Sequence, residues 1–362
     1  MTKPITIVGG GIVGATAAYY LTRFGHQVTV YDEGTGQATS AAAGIICPWL
    51  SKRRNKDWYR LAAGGAAFYH QLIADLEADS ADTSFYHQSG AILLKKTAKA
   101  TKEQYEIGLK RRVSAPEIGE LTILTEAEID ELLPTLQIQK NALYVGGGAR
   151  VDGSLLVQSL LNYVVENGGQ LRRERFSLNE KPDADETFIL AVGAWLPQIL
   201  EPLGWKVDIR GQKGQLVVLQ TEQLDNETEP VIMPEGEVDV LPIGYGRVIV
   251  GATHENDEGY DLSLNQEKLT NLIDQGKQLF SHLSEATFVE AKVGTRAYTS
   301  DFSPFFGYLP NKNNNILVAS GLGSSGLTTG PLIGFQLALL ALGKPASLPL
   351  ENYQPNSYLT GY

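Results

Sequence analysis

Ile5-Thr6-Ile7-Val8-Gly9-Gly10-Gly11-Ile12-Val13-Gly14 is the stretch on which the fold turns. Its first four residues form a short apolar, β-branched run, the pattern of a buried parallel strand. Gly9-x-Gly11-x-x-Gly14 follows at once. Gly9 permits a tight strand-to-helix turn, Gly11 lets backbone approach a pyrophosphate, and Gly14 allows close helix–strand packing. Residues 15–24 read as a helix by composition and period, and Gly25 stands where a helix C-cap is expected. His26-Gln27-Val28-Thr29-Val30-Tyr31 reads as a second strand ending at Asp32-Glu33. A carboxylate there, roughly 20 residues after the glycines, accepts hydrogen bonds from ribose hydroxyls. Spaced glycines alone are a weak signal. Set between a strand, a helix and an acid-tipped second strand, they predict a dinucleotide site with phosphates at the helix N-terminus. They do not separate NAD from FAD.

The chain next runs Gly34-Thr35-Gly36-Gln37-Ala38-Thr39-Ser40-Ala41-Ala42-Ala43-Gly44-Ile45-Ile46. Two readings of these small residues stand side by side. The backbone lies against a flat cofactor with its hydroxyls on phosphates, or a small-residue helix starts here and packs on the sheet.

Composition narrows the partners. A formal net charge of −11 argues against nucleic acid, whose binders carry a basic surplus. The short cluster Lys52-Arg53-Arg54 reads as a solvated loop. One cysteine, Cys47, cannot make an internal disulfide, and the five histidines show no metal-ligand spacing, so no metal is expected. Met1-Thr2-Lys3-Pro4 leads straight into the first strand without a secretory leader, and no run of roughly 20 apolar residues offers a membrane span. A cytoplasmic protein is the expectation.

Gly9 to Gly14, Asp32-Glu33 and Thr39-Ser40-Ala41-Ala42-Ala43-Gly44 resemble the D-amino-acid oxidase superfamily of FAD-dependent oxidoreductases. The likeness is to its glycine oxidase, sarcosine-oxidase-like and D-amino-acid dehydrogenase branch. Val151-Asp152-Gly153, Phe188-Ile189-Leu190-Ala191-Val192-Gly193-Ala194-Trp195, and Gly294-Thr295-Arg296 with the segments 301–307 and 316–327 resemble later parts of the same family, in its order.

The resemblance implies an α/β protein, α+β overall. A Rossmann-like FAD-binding domain of three-layer ββα architecture (1–55, 140–205 and 294–362) would be interleaved with an antiparallel-sheet substrate domain (56–139 and 206–293). Helical composition at 56–79, 101–133 and 264–283 agrees with this. So do strand-like segments at 88–95, 207–219, 238–242 and 247–253, with glycine turns at Gly211, Gly214, Gly244 and Gly246. Asn311-Lys312-Asn313-Asn314-Asn315 reads as a polar turn.

The resemblance also implies non-covalent FAD held by Gly9, Gly11, Ile12, Val13, Gly14, Asp32, Glu33, Thr39, Ser40, Ala43, Gly44 and Ile45. Phe176, Gly193 and Trp195 would join them from the middle of the chain, and Leu322, Gly323, Ser324, Ser325, Gly326, Leu327 and Thr328 from its end. Ser320-Gly321-Leu322-Gly323-Ser324-Ser325-Gly326 is a second glycine-rich loop feeding a helix over 327–342. Such an N-terminus stabilises the charge that reduction puts on a flavin.

The implied activity is oxidation of the C–N bond of a small amino acid or amine, of the D-amino acid, glycine or N-methylglycine type. Hydride would pass to flavin N5, and the imine product would hydrolyse. Oxygen, or a quinone or carrier, would be the acceptor, with homo-oligomers among the permitted assemblies. A non-catalytic FAD-binding redox protein is the alternative.

Arg296 would hold the substrate carboxylate through its planar fork, or else pair with Asp301 as a structural ion pair. Tyr298 and Ser324 complete the expected substrate contacts. Asp239 stands where relatives carry a tyrosine, and Ser324 where some glycine oxidases carry an arginine; both departures point away from simple glycine oxidation. An anion at Asp239 would face a substrate amine or pair with Arg296. Cys47 is expected to be a buried, non-catalytic thiol. Denaturing the holoprotein should therefore release all its FAD into the supernatant; a yellow pellet would show a covalent link.

Overall fold

A computed structural model describes residues 3–36, 38–137, 141–178, 185–222, 229–236, 238–310 and 315–361. Two large sheets organise them. The first has six strands, in the spatial order Phe305–Tyr308, Ile316–Ser320, Thr187–Leu190, Ile5–Val8, Val28–Tyr31, Gln170–Arg172. All neighbours run parallel except the edge pair Phe305–Tyr308 and Ile316–Ser320. Ile5–Val8 is buried at every position, as a central parallel strand must be. Helices Ile12–Arg23, Gly153–Glu166 and Gly326–Ala341 cover one face. The short helix Leu196–Leu200 and the ribbon of Lys206–Val207 with Leu359–Thr360 cover the other. The mixed α/β class expected from the sequence is the class observed.

The second sheet has eight strands, ordered Thr287–Tyr298, Arg210–Gln220, Arg247–Gly251, Asp239–Gly244, Val231–Met233, Ala91–Leu94, Ala142–Val145, Leu121–Leu124. It is antiparallel apart from the pairing of Val231–Met233 with Ala91–Leu94. Side chains alternate across it with period two. Val217, Leu219, Val240 and Val250 join Leu269 and Leu272 of the amphipathic helix Gln266–Leu279 in one core. Leu216, Val218, Leu241 and Ile249 turn the other way, into the core shared with the first sheet. That second face is where a cleft between the sheets forms.

Several local readings change. Residues 101–133 are not one helical stretch: helices Ala98–Arg112 and Glu126–Leu132 flank the strand Leu121–Leu124. Pro116 and Gly119 end the helical path, and pairing with Ala142–Val145 captures the four residues as strand. Gly211 and Gly214 are not turns but lie inside Arg210–Gln220. Gly244 and Gly246 do bend the chain, both with positive φ. The strands Val231–Met233 and Thr287–Tyr298 went unread. The small-residue stretch is no helix; it turns at 38–41 and enters the strand Ile45–Ile46. Of the polar turn at 311–315, residues 311–314 lie outside the described residues.

Glycines set the depth of packing. Gly9 has φ +99°, and a Cβ there would stand 2.4 Å from the Ala191 carbonyl oxygen. A Cβ on Gly14 would stand 1.9 Å from the Gly9 carbonyl oxygen. Gly334 of the C-terminal helix approaches the first helix so closely that a Cβ would come within 2.5 Å of the Val13 carbonyl oxygen. Gly65, in the helix Lys56–Ala78, meets the Thr328 carbonyl in the same way. Gly11 differs: its nearest neighbour would be the Thr39 hydroxyl at 3.4 Å. Gly14→Ala should therefore cost about 1–3 kcal/mol in urea unfolding, the range for overpacking. Gly11→Ala should fold normally and lose affinity for FAD instead. Equal stability of the two variants would contradict this division of labour.

Candidate active site

Two cavities meet between the sheets. The first, ≈ 550 Å³, is lined by the glycine turn, the small-residue stretch and the end of the strand Thr187–Leu190. Gly9, Gly11, Ile12, Val13, Asp32, Glu33, Thr39, Ser40, Phe176, Gly193, Trp195 and Leu322 all line it. The second, ≈ 540 Å³, is lined by Ala43, Gly44, Ile45, Ser324, Ser325, Leu327 and Thr328, with Cys47, Met233, Asp239, His254 and Arg296. Ala38, Thr39, Arg296, Gly323 and Gly326 line both, so the two form one cleft. Gly14 lies beneath the turn as a packing residue. Tyr298 lines neither cavity. It packs under Gly323, and its hydroxyl accepts the Ser324 N–H at 3.0 Å, which holds the C-terminal loop in place.

Local chemistry explains the shape of the first cavity. The helix Ile12–Arg23 has no N-cap side chain; the Thr39 hydroxyl accepts the Ile12 N–H at 3.2 Å from across the cleft. The helix Gly326–Ala341 also lacks a side-chain cap. Asn55, Thr97, Thr125, Asp152 and Asn265 cap five other helices. Both helices aimed at the cleft thus keep backbone donors for an anion or a polarised ring. Asp32 accepts the N–H groups of Gly10 and Gly34, and this fastens the end of its strand to the glycine turn. Phe176 leans on Tyr31 with ring centroids 4.9 Å apart. Gly11, bare toward the cavity, and the two uncapped helix ends fit a dinucleotide.

The second cavity is built on the eight-stranded sheet. Arg296 rises from Thr287–Tyr298, and a Cβ at Gly214 would stand 2.7 Å from its guanidinium carbon. A side chain at 214 would displace the arginine, which is why a glycine interrupts that strand. Arg296 Nη1 donates to Gln212 Oε1 at 3.0 Å and to the Thr253 carbonyl at 2.9 Å. Thr253 is tied in turn to Glu255, which accepts from Gln215 and Lys268, both at 2.7 Å. Burial would raise the Glu255 carboxyl, but these hydrogen bonds hold it down at about 2. Fully buried Lys213 closes the network on Glu258 and Asp261.

The Arg296–Asp301 pair is not formed. Asp301 accepts from Thr299, Ser303 and Tyr358. Nor do Asp239 and Arg296 form an ion pair among the described residues. Burial pushes the Asp239 carboxyl up to about 7. Burial, then the nearby Asp239, push the Cys47 thiol up to about 12, an unreactive state. Gln212, Gly214, Gly251, Met233 and His254 were missed as site residues. Mid-strand glycines in a sheet segment were the available signal for two of them.

Fold and cleft together define a dinucleotide-binding protein. The model of the DAO family, FAD dependent oxidoreductase, matches residues 4–340, and the chain belongs to that family. It is 40% identical to the oxidoreductase YurR of Bacillus subtilis (strain 168), over 98% of each chain. The structure of iminodiacetate oxidase from Chelativorans sp. BNC1 superposes with a TM-score of 0.91 at 35% identity, covering 97% of this chain and 98% of that one. Glycine oxidase of Geobacillus kaustophilus (strain HTA426) is 24% identical over 96% of this chain and 95% of its own. The protein is an FAD-dependent oxidoreductase. Among the described residues no helix is long and apolar enough to cross a membrane, and no cluster of three metal-ligating side chains occurs.

Asp239 makes a pH-dependent prediction. Its folded value lies above the unfolded one near 3.8, so the folded state holds the proton more tightly. That contribution is present below the unfolded value and is lost as the pH rises through about 7. At about 1.4 kcal/mol per unit, the ionised form costs the fold about 2–4 kcal/mol. Asp239→Asn should raise the melting temperature more at pH 8 than at pH 5. A gain that is the same at both would show that Asp239 is not held in a desolvated site.

Proposed function

We propose that the protein oxidises the C–N bond of a small amine that carries a carboxylate, an amino acid or N-substituted amino acid. One observation carries the reading. Arg296 is a largely buried guanidinium at the junction of the two cavities, and both hydrogen bonds it makes among the described residues leave from Nη1. Among the described residues its other donors meet no carboxylate, and burial draws its pKa down. A substrate carboxylate supplies the missing anion in the bidentate geometry that guanidinium favours.

FAD, when bound, supplies the hydride acceptor. The chain's residues bind and orient. Arg296 fixes one end of the substrate and so restricts which C–H bond points along the cleft. The positive end of Gly326–Ala341 stabilises negative charge that develops beside it. Trp58 Nε1 bonds Ser325 Oγ at 3.3 Å, and the Tyr69 hydroxyl bonds the Leu327 carbonyl at 2.7 Å; both hold that helix start still. Two relatives, named for glycine and iminodiacetate, agree with an amino-carboxylate substrate.

Anaerobic bleaching of the flavin absorbance tests this against glycine, sarcosine, iminodiacetate, D-amino acids, proline and diamines. Amino-carboxylates should bleach it and diamines should not. Arg296→Lys should retain FAD and lower kcat/KM on the order of 10- to 100-fold, the worth of one charged hydrogen-bond fork. If none of the amino-carboxylates reduces the flavin, the reading fails. Peroxide yield under air then separates oxygen from other acceptors.

A further inference from the structure

The substrate bay holds one acid that the proposed function leaves without a task. Asp239 pairs across the ladder with Gly251, and Gly251 with Leu216. Directly paired residues share a face of a sheet, and so do residues two apart on one strand. Gly214 therefore shares the face of Leu216; Gly294, its partner, shares it too, and so does Arg296. Asp239 and Arg296 rise from the same face. On that face Gly214, Gly251 and Gly294 line the cavity with bare backbone, and Leu216 stands beside Gly251.

The arginine's guanidinium rests over Gly214, one strand in from its own. Asp239 stands two strands further along the sheet. Two strand spacings across the sheet and the two-residue step along it from Leu216 to Gly214 set the backbone positions roughly 12 Å apart, and the aspartate side chain takes up roughly 2–3 Å of that. An α-amino acid bridged by a hydrogen bond at each end spans roughly 9 Å.

Among the described residues, the Asp239 carboxylate has no hydrogen-bond or ion-pair partner. The other titratable groups lining the bay are Cys47, His254 and Arg296. A desolvated acid with no partner destabilises the fold unless a ligand completes it.

We propose that Asp239 is the amine-recognising residue of the bay: the substrate ammonium donates to its carboxylate while the substrate carboxylate sits on Arg296. The same contact gives the ammonium proton a destination. An N–H bond breaks, an O–H bond forms on Asp239, and the electron pair stays on nitrogen. The substrate class is thereby an amino-carboxylate with at least one N–H; quaternary amines are excluded. This deepens the proposed function and rests on its assignment of an amino-carboxylate to the site.

The test compares amines with their oxygen isosteres in the flavin-loaded protein. Sarcosine is paired with methoxyacetate, and iminodiacetate with oxydiacetate. Anaerobic stopped-flow reads the flavin's spectral perturbation on binding, before any reduction. In Asp239→Asn, amine affinity should fall about tenfold or more, while the isosteres bind as in the wild type or tighter. Wild-type amine affinity should weaken as the pH falls through neutrality, and the variant should lose that dependence. Flavin content and spectrum report that the variant is folded. Equal shifts for amine and isostere, no shift at all, or a wild type that binds both alike would overturn the assignment. Discrimination that depends on Asp239 without reduction by any amine would leave this inference standing and remove the proposed reaction instead.

Discussion

The structure depends on how closely two helices approach. The helix Ile12–Arg23 and the helix Gly326–Ala341 lie far apart in sequence, yet Gly334 touches the backbone at Val13, and Gly330 packs on Ile12. Side chains at either glycine would push the helices apart and separate their N-termini. Held together, the two helix starts, neither capped by its own N-cap side chain, face one cleft, and their dipoles add there. Thr39 and Gly65 extend the same arrangement, the first by bonding the start of one helix, the second by packing on the start of the other. The cofactor site follows from close packing rather than from any single ligand residue.

The substrate side is organised by a different cost, that of buried charge. Lys213 and Glu255 are buried and Arg296 half-buried, and hydrogen bonds through Thr253, Gln215 and Lys268 with the ion pairs of Lys213 tie them into one network. Such a network is expensive to break and therefore rigid. Arg296 and Asp239 both line the bay, on a floor that Gly214, Gly251 and Gly294 help to form. On the proposed reading, a ligand of opposite charges recovers on binding the stability given up at these two positions.

Residue patterns carried much of this. The glycine turn, its helix, the acid-tipped strand and the second glycine loop were legible because their constraints are local: φ, a turn, a cap, a dipole. Arg296 and Asp239 stand out in the sequence by residue type and position; that both line one cavity is a finding of the structure. The segment 101–133 misled because helical propensity is also local, and partners from elsewhere overrode it at Leu121–Leu124. Gly214 reads as a turn in the sequence because a glycine inside a strand looks like punctuation until the side chain that needs its space is known. Tyr298 belongs to the support of the loop, which only its contact with Ser324 reveals.

Local pattern by itself determined a nucleotide-binding α/β chain, since spaced glycines, strand composition and one acid at a strand end act over short distances; the flavoenzyme family came from resembling segments spread along the whole chain. The tertiary structure turns both remote helix ends, which the resemblance assigns to one cofactor, toward one cleft. It also decided that Arg296 pairs with neither Asp301 nor Asp239. These outcomes depend on sheet order and strand register, which sum weak contacts between residues up to hundreds of positions apart, and no local pattern encodes that sum.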